Sequence, residues 1–474
     1  MQTYLNTPFS TVKTLHFVGI GGIGMSGLAE MFALLGFSVQ GSDIKESANT
    51  QHLQSVGIKV FIGHSANNLI GVDALVISSA INMANEEVAK AIELGLPVFK
   101  RGKMLSELMR YKWGIAVAGT HGKTTTTSLI AHIMHTAKLD PTAIIGGVVN
   151  SWGQNSRFGN SKWLVAESDE SDGSFLDLPA TISVITNIEA EHMEHYKTYE
   201  SLLDHFVRFV YNIPFYGFSV LCIDDKGVQD ILPKVGLRKI ITYGVSPQAD
   251  YQIKNVRYNK EGSVFDIIYI NKNNTEVILK DLELAMHGMH NVLNCAASIA
   301  VALNIQINEA NLRLALKNFS GVRRRFSKVG VTKNITFIDD YGHHPSEIEA
   351  VIKSANEIVQ NKGKILAIVQ PHRFTRLKDH FDAFSKCVNN AHAVMVLDVY
   401  KANETPIEGI NSQNLVDSIK KHGHKNVSYI QNPENLSQAI NNLNTISPID
   451  MVIFLGAGDI SSIAKNTFDA FSKL

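Results

Sequence analysis

Apolar residues recur along this chain in two rhythms. Between Thr14 and about Arg110 the short runs LHFVGI, FSVQGSD, IKVFIG and ALVISSA have the length of strands. Between them, GMSGLAEMFALLG and NEEVAKAIELG space their apolar residues three or four apart, the helical period. Strands alternating with helices predict a parallel sheet with crossover helices. The rhythm restarts at WGIAVAGT (Trp113–Thr120), and WLVAESDE, ISVITNI and SVLCIDD extend a second sheet. YQIKNVRY, SVFDIIYI and EVILKDLEL then follow without long helices, which predicts an antiparallel patch, and NVLNCAASIAVALN and EANLRLALKNF read as two closing helices. A third restart at ITFIDDYGHHP leads to strands KILAIVQP, AVMVLDVY and DMVIFLGAG. The expectation is an α/β protein of three domains, 1–111, 112–322 and 323–474.

Composition narrows the function classes. The 474 residues are too many for one ordinary core. With 45% hydrophobic and 19% charged residues the chain reads as folded rather than disordered. Lys+Arg and Asp+Glu balance at 44 each, so no global field gathers nucleic acid. Cys222, Cys295 and Cys387 lie far apart without a CxxC pair, which argues against a disulfide framework or a thiolate zinc site. The start, MQTYLNTPFSTVKTLHFVGI, has no signal-peptide pattern, and the apolar runs are too short to span a membrane. A cytoplasmic location without membrane insertion is expected.

Two glycine loops carry the candidate chemistry. Gly19-Ile-Gly21-Gly22-Ile-Gly24 follows a strand and opens a helix, where backbone N–H groups can approach a diphosphate. Asp43 ends the next strand, where a dinucleotide site places its ribose-binding acid. NAD and a UDP-sugar both present a diphosphate and a ribose, so this loop alone fits either. Gly119-Thr120-His121-Gly122-Lys123-Thr124-Thr125-Thr126 again joins a strand to a helix and ends as a P-loop does. Only two residues separate Gly119 from the Gly122-Lys123 pair, where the usual pattern has four. Lys123 suits terminal phosphates and a threonine hydroxyl suits Mg²⁺. Glu167, at the end of WLVAE, is the expected Mg²⁺ carboxylate, with Asp169, Glu170 and Asp172 after it. His192 follows strand ISVITNI and shares that strand-end rim.

Together these residues resemble the Mur ligases, which add amino acids to UDP-muramyl precursors of peptidoglycan. The resemblance runs from HFVGIGGIGMSGLAE through GTHGKTTTT, VAESDESDGSF, TNIEAEHM, HNVLN, GVRRRF, DDYGHHPSE and QPHRFTR to FLGAGDI. It implies a Rossmann-like N-terminal domain, a P-loop-type central ATPase domain and a Rossmann-like C-terminal domain. Within the family, GIGGIGMSG, YGHHP and QPHR are most similar to members joining L-alanine to UDP-N-acetylmuramate, and the resemblance implies a monomer or weak homodimer. It further implies that Gly119, Thr120, His121, Gly122, Lys123, Thr124, Thr125, Asn291, Asn294, Arg325 and Asp340 hold ATP. Thr124, Glu167 and His192 would bind Mg²⁺, and Lys123, Glu167, His192 and Arg325 would serve catalysis. Gly21, Gly22, Gly24, Asp43 and Ser79 would face the UDP moiety. Tyr341, His343, His372, Arg373 and Arg376 would surround the amino acid. Glu191 stands where the family usually has an aspartate before the histidine.

Overall fold

The computed structural model describes residues 12–474 except 79, 111, 260, 361 and 403. The chain groups into two compact units. One holds residues up to 255, 265–283 and 293–320; the other holds 256–264, 284–292 and 321–474.

The first unit begins with five parallel strands: β1 (Thr14–Val18), β2 (Ser38–Asp43), β3 (Lys59–Ile62), β4 (Ala74–Ile77) and β5 (Val98–Lys100), ordered β3-β2-β1-β4-β5. Successive side chains of β1 face opposite ways. Leu15 and Phe17 enter one core with Met25, Leu28 and Met31 of the helix Ile23–Leu34. Val18 enters another with Leu75, Ile77 and Val88.

The second sheet has ten strands: β6 (Trp113–Ala118), β7 (Thr142–Val149), β8 (Gln154–Arg157), β9 (Trp163–Glu167), β10 (Ala180–Ile185), β11 (Phe218–Cys222), β12 (Ile240–Gly244), β13 (Tyr251–Tyr258), β14 (Ser263–Ile270) and β15 (Glu276–Leu284). Their order is β15-β14-β13-β12-β11-β10-β6-β9-β7-β8. Strand β6 lies between parallel β9 and β10, so its side chains are buried from Gly114 onward and read as an unbroken apolar run. The helix Lys123–Thr136 that follows it is buried from Thr124 to Met134. Each of its buried Leu and Ile side chains contributes about 1.5–3 kcal/mol.

The second unit carries β16 (Ser327–Thr332), β17 (Ile335–Asp340), β18 (Ile365–Val369), β19 (Ala393–Leu397), β20 (Val427–Ile430) and β21 (Met451–Leu455). Their order is β16-β17-β21-β18-β19-β20, parallel except for the antiparallel edge β16. Ile338 packs with Ile352 and Leu377 on one face, and its neighbour Phe337 with Phe454 and Phe471 on the other. Both faces are therefore covered, as a parallel sheet requires. Cys222, Cys295 and Cys387 are buried free thiols. Among the described residues no helix is long and apolar enough to cross a membrane.

Candidate active site

The P-loop is built where β6 ends and the helix Lys123–Thr136 begins. Gly122 caps that helix with φ +81°, and an added Cβ would strike the Asn294 side chain. Glycine is thus required twice over at this position, by backbone conformation and by space. The loop is fastened to the segment after β10. Thr120 N donates to Asn187 O at 3.0 Å, and His121 N to Asn187 Oδ1 at 2.8 Å. Thr186 Oγ1 and Asn187 Nδ2 both donate to His121 O, while Glu189 N donates to Thr120 Oγ1. These bonds leave the loop a preformed turn with the helix N-terminus behind it, the geometry that favours phosphate.

Lys123 Nζ donates to Gly119 O at 2.5 Å, Thr120 O at 3.0 Å and Glu170 Oε1 at 2.8 Å. Burial alone pushes a lysine toward the neutral form, but the Glu170 carboxylate, helped by Glu167 and Asp169, more than offsets it. Lys123 therefore stays charged. Thr124 Oγ1 donates to Glu167 Oε1 at 3.0 Å, and Gly146 N fixes the other Glu167 oxygen at 2.7 Å. A hydroxyl and a carboxylate side by side are hard oxygen donors suited to Mg²⁺. Glu170 Oε2 adds a buried oxygen without a hydrogen-bond partner among the described residues. The donor set fits the cation. His192 adopts φ +57°, with Nε2 at 3.7 Å from Glu170 Oε1 and 3.8 Å from Glu191 Oε2. Glu170 thus stands between Lys123 and His192. Within the run ESDESD it reads as one of several solvated acids, and only the folded chain turns it inward. Thr125 is buried in the helix, and Asn294 Oδ1 accepts from Thr126 Oγ1 at 3.2 Å.

At the N-terminal sheet, Gly21 N donates to Asp43 Oδ2 at 2.8 Å, and Asn49 Nδ2 donates to Gly21 O at 2.8 Å. An added Cβ on Gly21 would come within 2.8 Å of that carboxylate and 2.9 Å of the Thr50 methyl. Gly22 caps the helix Ile23–Leu34, and Gly24 lies in its first turn. Ser79 lies outside the described residues.

In the second unit, predicted residues meet at the carboxyl ends of β17, β18 and β19. His343 Nδ1 lies 3.0 Å from Tyr341 O, and the two rings stand edge to face at 5.2 Å. His372 is 6.0 Å from the His343 ring and stacks on Tyr400 at 5.5 Å. Burial, reinforced by His343, Arg376 and Arg373, pushes His372 down to about 4, so it is neutral at pH 7. Arg376 Nη1 is 3.5 Å from His372 Nδ1, and Arg373 starts the short helix Phe374–Asp379 with φ +69°. Tyr400 was not singled out by sequence; its tie to this group is the strand pairing that brings Arg373 N to Tyr400 O at 2.9 Å. Arg325 Nη1 is 3.6 Å from Glu347 Oε1, and its guanidinium is 5.6 Å from the Tyr341 ring. Asp340 accepts from Phe326 N and Gly342 N at 2.6 Å each, and burial raises its carboxyl to about 6. Asn291 Nδ2 donates to His287 O at 2.8 Å, so its amide closes its own helix start.

Three family descriptions match successive stretches of the chain. The description "Mur ligase family, catalytic domain" matches residues 14–113, "Mur ligase middle domain" 117–302 and "Mur ligase, glutamate ligase domain" 324–458. UDP-N-acetylmuramate–L-alanine ligase of Granulibacter bethesdensis is 48% identical over 96% of this chain and 94% of that protein. The Brucella anthropi ligase of the same name is 47% identical over 96% of each chain. The crystal structure of UDP-N-acetylmuramate-alanine ligase from Thermotoga maritima, at 29% identity, has a TM-score of 0.80 over 98% of this chain and 99% of that one. A murein peptide ligase from Psychrobacter arcticus, at 22% identity, shares the fold with a TM-score of 0.71 over 98% of this chain and 99% of that one. Near-full-length identity of this order, on top of the two glycine loops, means that the chain belongs to the Mur ligase family.

Proposed function

We infer that this protein joins L-alanine to the lactyl carboxylate of UDP-N-acetylmuramate, converting ATP to ADP and phosphate in peptidoglycan precursor synthesis. The observation that carries the chemistry is the juxtaposition of Lys123, Thr124 and Glu167 at the P-loop. The near-full-length likeness to alanine ligases carries the substrates. We assign residues 1–111 to the UDP-sugar, 112–322 to ATP and 323–474 to the amino acid. ATP and UDP-linked sugars are cytoplasmic metabolites, so the work falls there.

A carboxylate resists attack by an amine. Moving the γ-phosphoryl of ATP onto one carboxylate oxygen gives an acyl phosphate and ADP. The neutral alanine amine nitrogen then bonds to the carbonyl carbon, the C–O bond to phosphate breaks, and the nitrogen gives up one proton, keeping the other as the amide N–H. The first step brings two anions together, a repulsion of roughly 4 kcal/mol at about 4 Å and an effective dielectric of 20. Backbone N–H groups at Gly122–Thr124 and the Lys123 ammonium offset that charge. Lys123 already makes three bonds, its full capacity. It must therefore exchange at least one of them for a phosphate oxygen, and Glu170 keeps the ammonium in reach until then. Mg²⁺ held by Thr124 and Glu167, with His192 close to Glu170, would neutralise phosphate charge. Arg376 and Arg373 would clamp the alanine carboxylate, and neutral His372 and Tyr400 would wall its side chain. Phosphate release that requires ATP, UDP-N-acetylmuramate and L-alanine together is the test. Release that ignores the sugar or the amino acid would reduce the protein to an ATPase, and hydride transfer with NAD would replace the reading.

A further inference from the structure

The parallel strands of the central sheet start on the edge opposite the P-loop. Strands β12, β11, β10, β6 and β9 lie side by side in that order. Ser219 pairs with Ile240, Ile182 with Phe218, Gly114 with Ala180 and Trp113 with Trp163, so the strand starts are level. Their entry segments, residues 236–240, 212–218, 178–181, 109–113 and 159–163, therefore share one edge. These segments contain Arg110, Lys112, Lys162, Arg238 and Lys239 and no aspartate or glutamate, in a chain whose charges balance at 44 of each sign. The same segments expose apolar side chains: Phe215 is 92% exposed, Leu237 90%, Tyr216 64% and Trp113 48%.

Neither feature is satisfied inside the protein. Lys162, Arg238 and Lys239 lie over the rings of Trp113, Tyr211 and Phe218, at 5.8, 4.9 and 5.4 Å from the centroids. Among the described residues none of these three cations has a carboxylate partner, whereas Arg110 leans on Glu107 at 3.5 Å. Lys112 spends its three donors on Thr142 Oγ1, Gly159 O and Ser161 O, so it adds charge beneath the edge without a free hydrogen bond. Phe215 and Tyr216 stand edge to face at 5.2 Å, and both stay exposed. Beside them a cavity of about 570 Å³ opens between Arg110, Trp113, Lys162, Thr181 and Tyr216.

Apolar tips among cations suit one kind of partner. Leu237 has neither a ring to stack on a base nor a polar atom, so a single-stranded nucleic acid gains nothing from it. A second copy presenting the same face would set cation against cation. A bilayer rewards every part: apolar tips enter the acyl boundary, tryptophan and tyrosine sit at headgroup level, and cations meet anionic phosphates. We propose that this edge docks the protein on the surface of an anionic phospholipid membrane. Phe215 and Leu237 enter the acyl boundary, and Arg110, Lys162, Arg238 and Lys239 meet the headgroups. The cavity admits a headgroup phosphate beside Arg110 and Lys162. The protein lies on the membrane without spanning it. Strand β6 has six residues, so the P-loop stands roughly 17 Å away at its far end and stays open to soluble substrates.

The test is flotation of the full-length protein with vesicles of phosphatidylcholine alone and of phosphatidylcholine mixed with phosphatidylglycerol. The mixed vesicles should bind at least ~10²-fold tighter, at about fivefold for each cation near the surface, and salt should shrink that advantage. Phe215→Ser combined with Leu237→Ser should weaken binding to mixed vesicles about tenfold or more through lost apolar insertion. Lys162→Glu combined with Lys239→Glu should erase the preference for them. Phosphate release without vesicles, and thermal melts, should stay close to wild type in both variants, because these side chains touch neither glycine loop. Equal binding of the two kinds of vesicle, binding to neither, or anionic binding that persists in both variants would overturn the inference. So would a single-stranded oligonucleotide that binds tighter than the mixed vesicles through the same residues, which would make the edge a nucleic-acid surface.

Discussion

Lys123 and Glu170 form a buried ion pair at the P-loop, with the lysine also held by two loop carbonyls. Lys123→Ala removes a donor aimed at transferring charge and should lower turnover at least ~10²-fold. Binding of UDP-N-acetylmuramate should stay nearly unchanged, because its loop lies on a different sheet; calorimetry and phosphate release measure the two separately. At the amino-acid rim, Arg376→Lys keeps the charge and loses the planar fork, so the KM for L-alanine should rise while those for ATP and the sugar hold. Movement of all three constants would make Arg376 a structural residue. Glu87, buried in the helix Glu86–Glu93 with hydrogen bonds from His16, Ser42 and Asn68, yields a prediction about stability. Its folded value of about 2 lies below the ordinary 4.5, so its contribution is complete above 4.5 and fades as pH falls toward 2. That difference amounts to about 3 kcal/mol. Thermal melts between about pH 5 and pH 3 should therefore fall more steeply for wild type than for Glu87→Gln; parallel curves would show that the buried network does not couple to protons.

The elements that sequence reveals are those with an apolar run and a glycine stop. WGIAVAGT is buried on both faces and ends where Gly119 turns the chain, so strand, loop and helix start can all be read there. Gln154–Arg157, by contrast, is a polar edge strand whose partner β7 supplies its order, and no local pattern marks it. The antiparallel β16 is equally faint, because half-exposed residues alternate weakly in SKVGVT. The same contrast holds for the site. Lys123, Thr124 and Glu167 stand at strand ends that the pattern locates. Glu170 and Glu87 become legible only when the fold turns them inward, since an acid in a charged run reads as surface. Gly122 carries the clearest test at this scale. Gly122→Ala imposes a left-handed backbone on a residue with a Cβ and drives that Cβ into Asn294. It should cost about 1–2 kcal/mol in urea unfolding and weaken ATP binding. A variant as stable and as tight for ATP as wild type would remove the loop's strict geometry from the account.

Three sheets, each with its strand ends opening on a different cluster of polar residues, suit a reaction with three substrates. The first glycine loop follows β1 in the order β3-β2-β1-β4-β5, which serves dinucleotides and UDP-sugars alike. A ligase leaves a hydride carrier without a task, so titration of the full chain should show UDP-N-acetylmuramate binding and no response to NAD. The central claim is that ATP activates the sugar's carboxylate as an acyl phosphate before alanine attacks. Supplying UDP-N-acetylmuramate with ¹⁸O in its lactyl carboxylate tests this directly, by weighing both the alanyl product and the phosphate released. The account predicts one ¹⁸O in each phosphate formed, with the alanine amide carrying the other. Unlabelled phosphate, or label recovered in AMP, would contradict it.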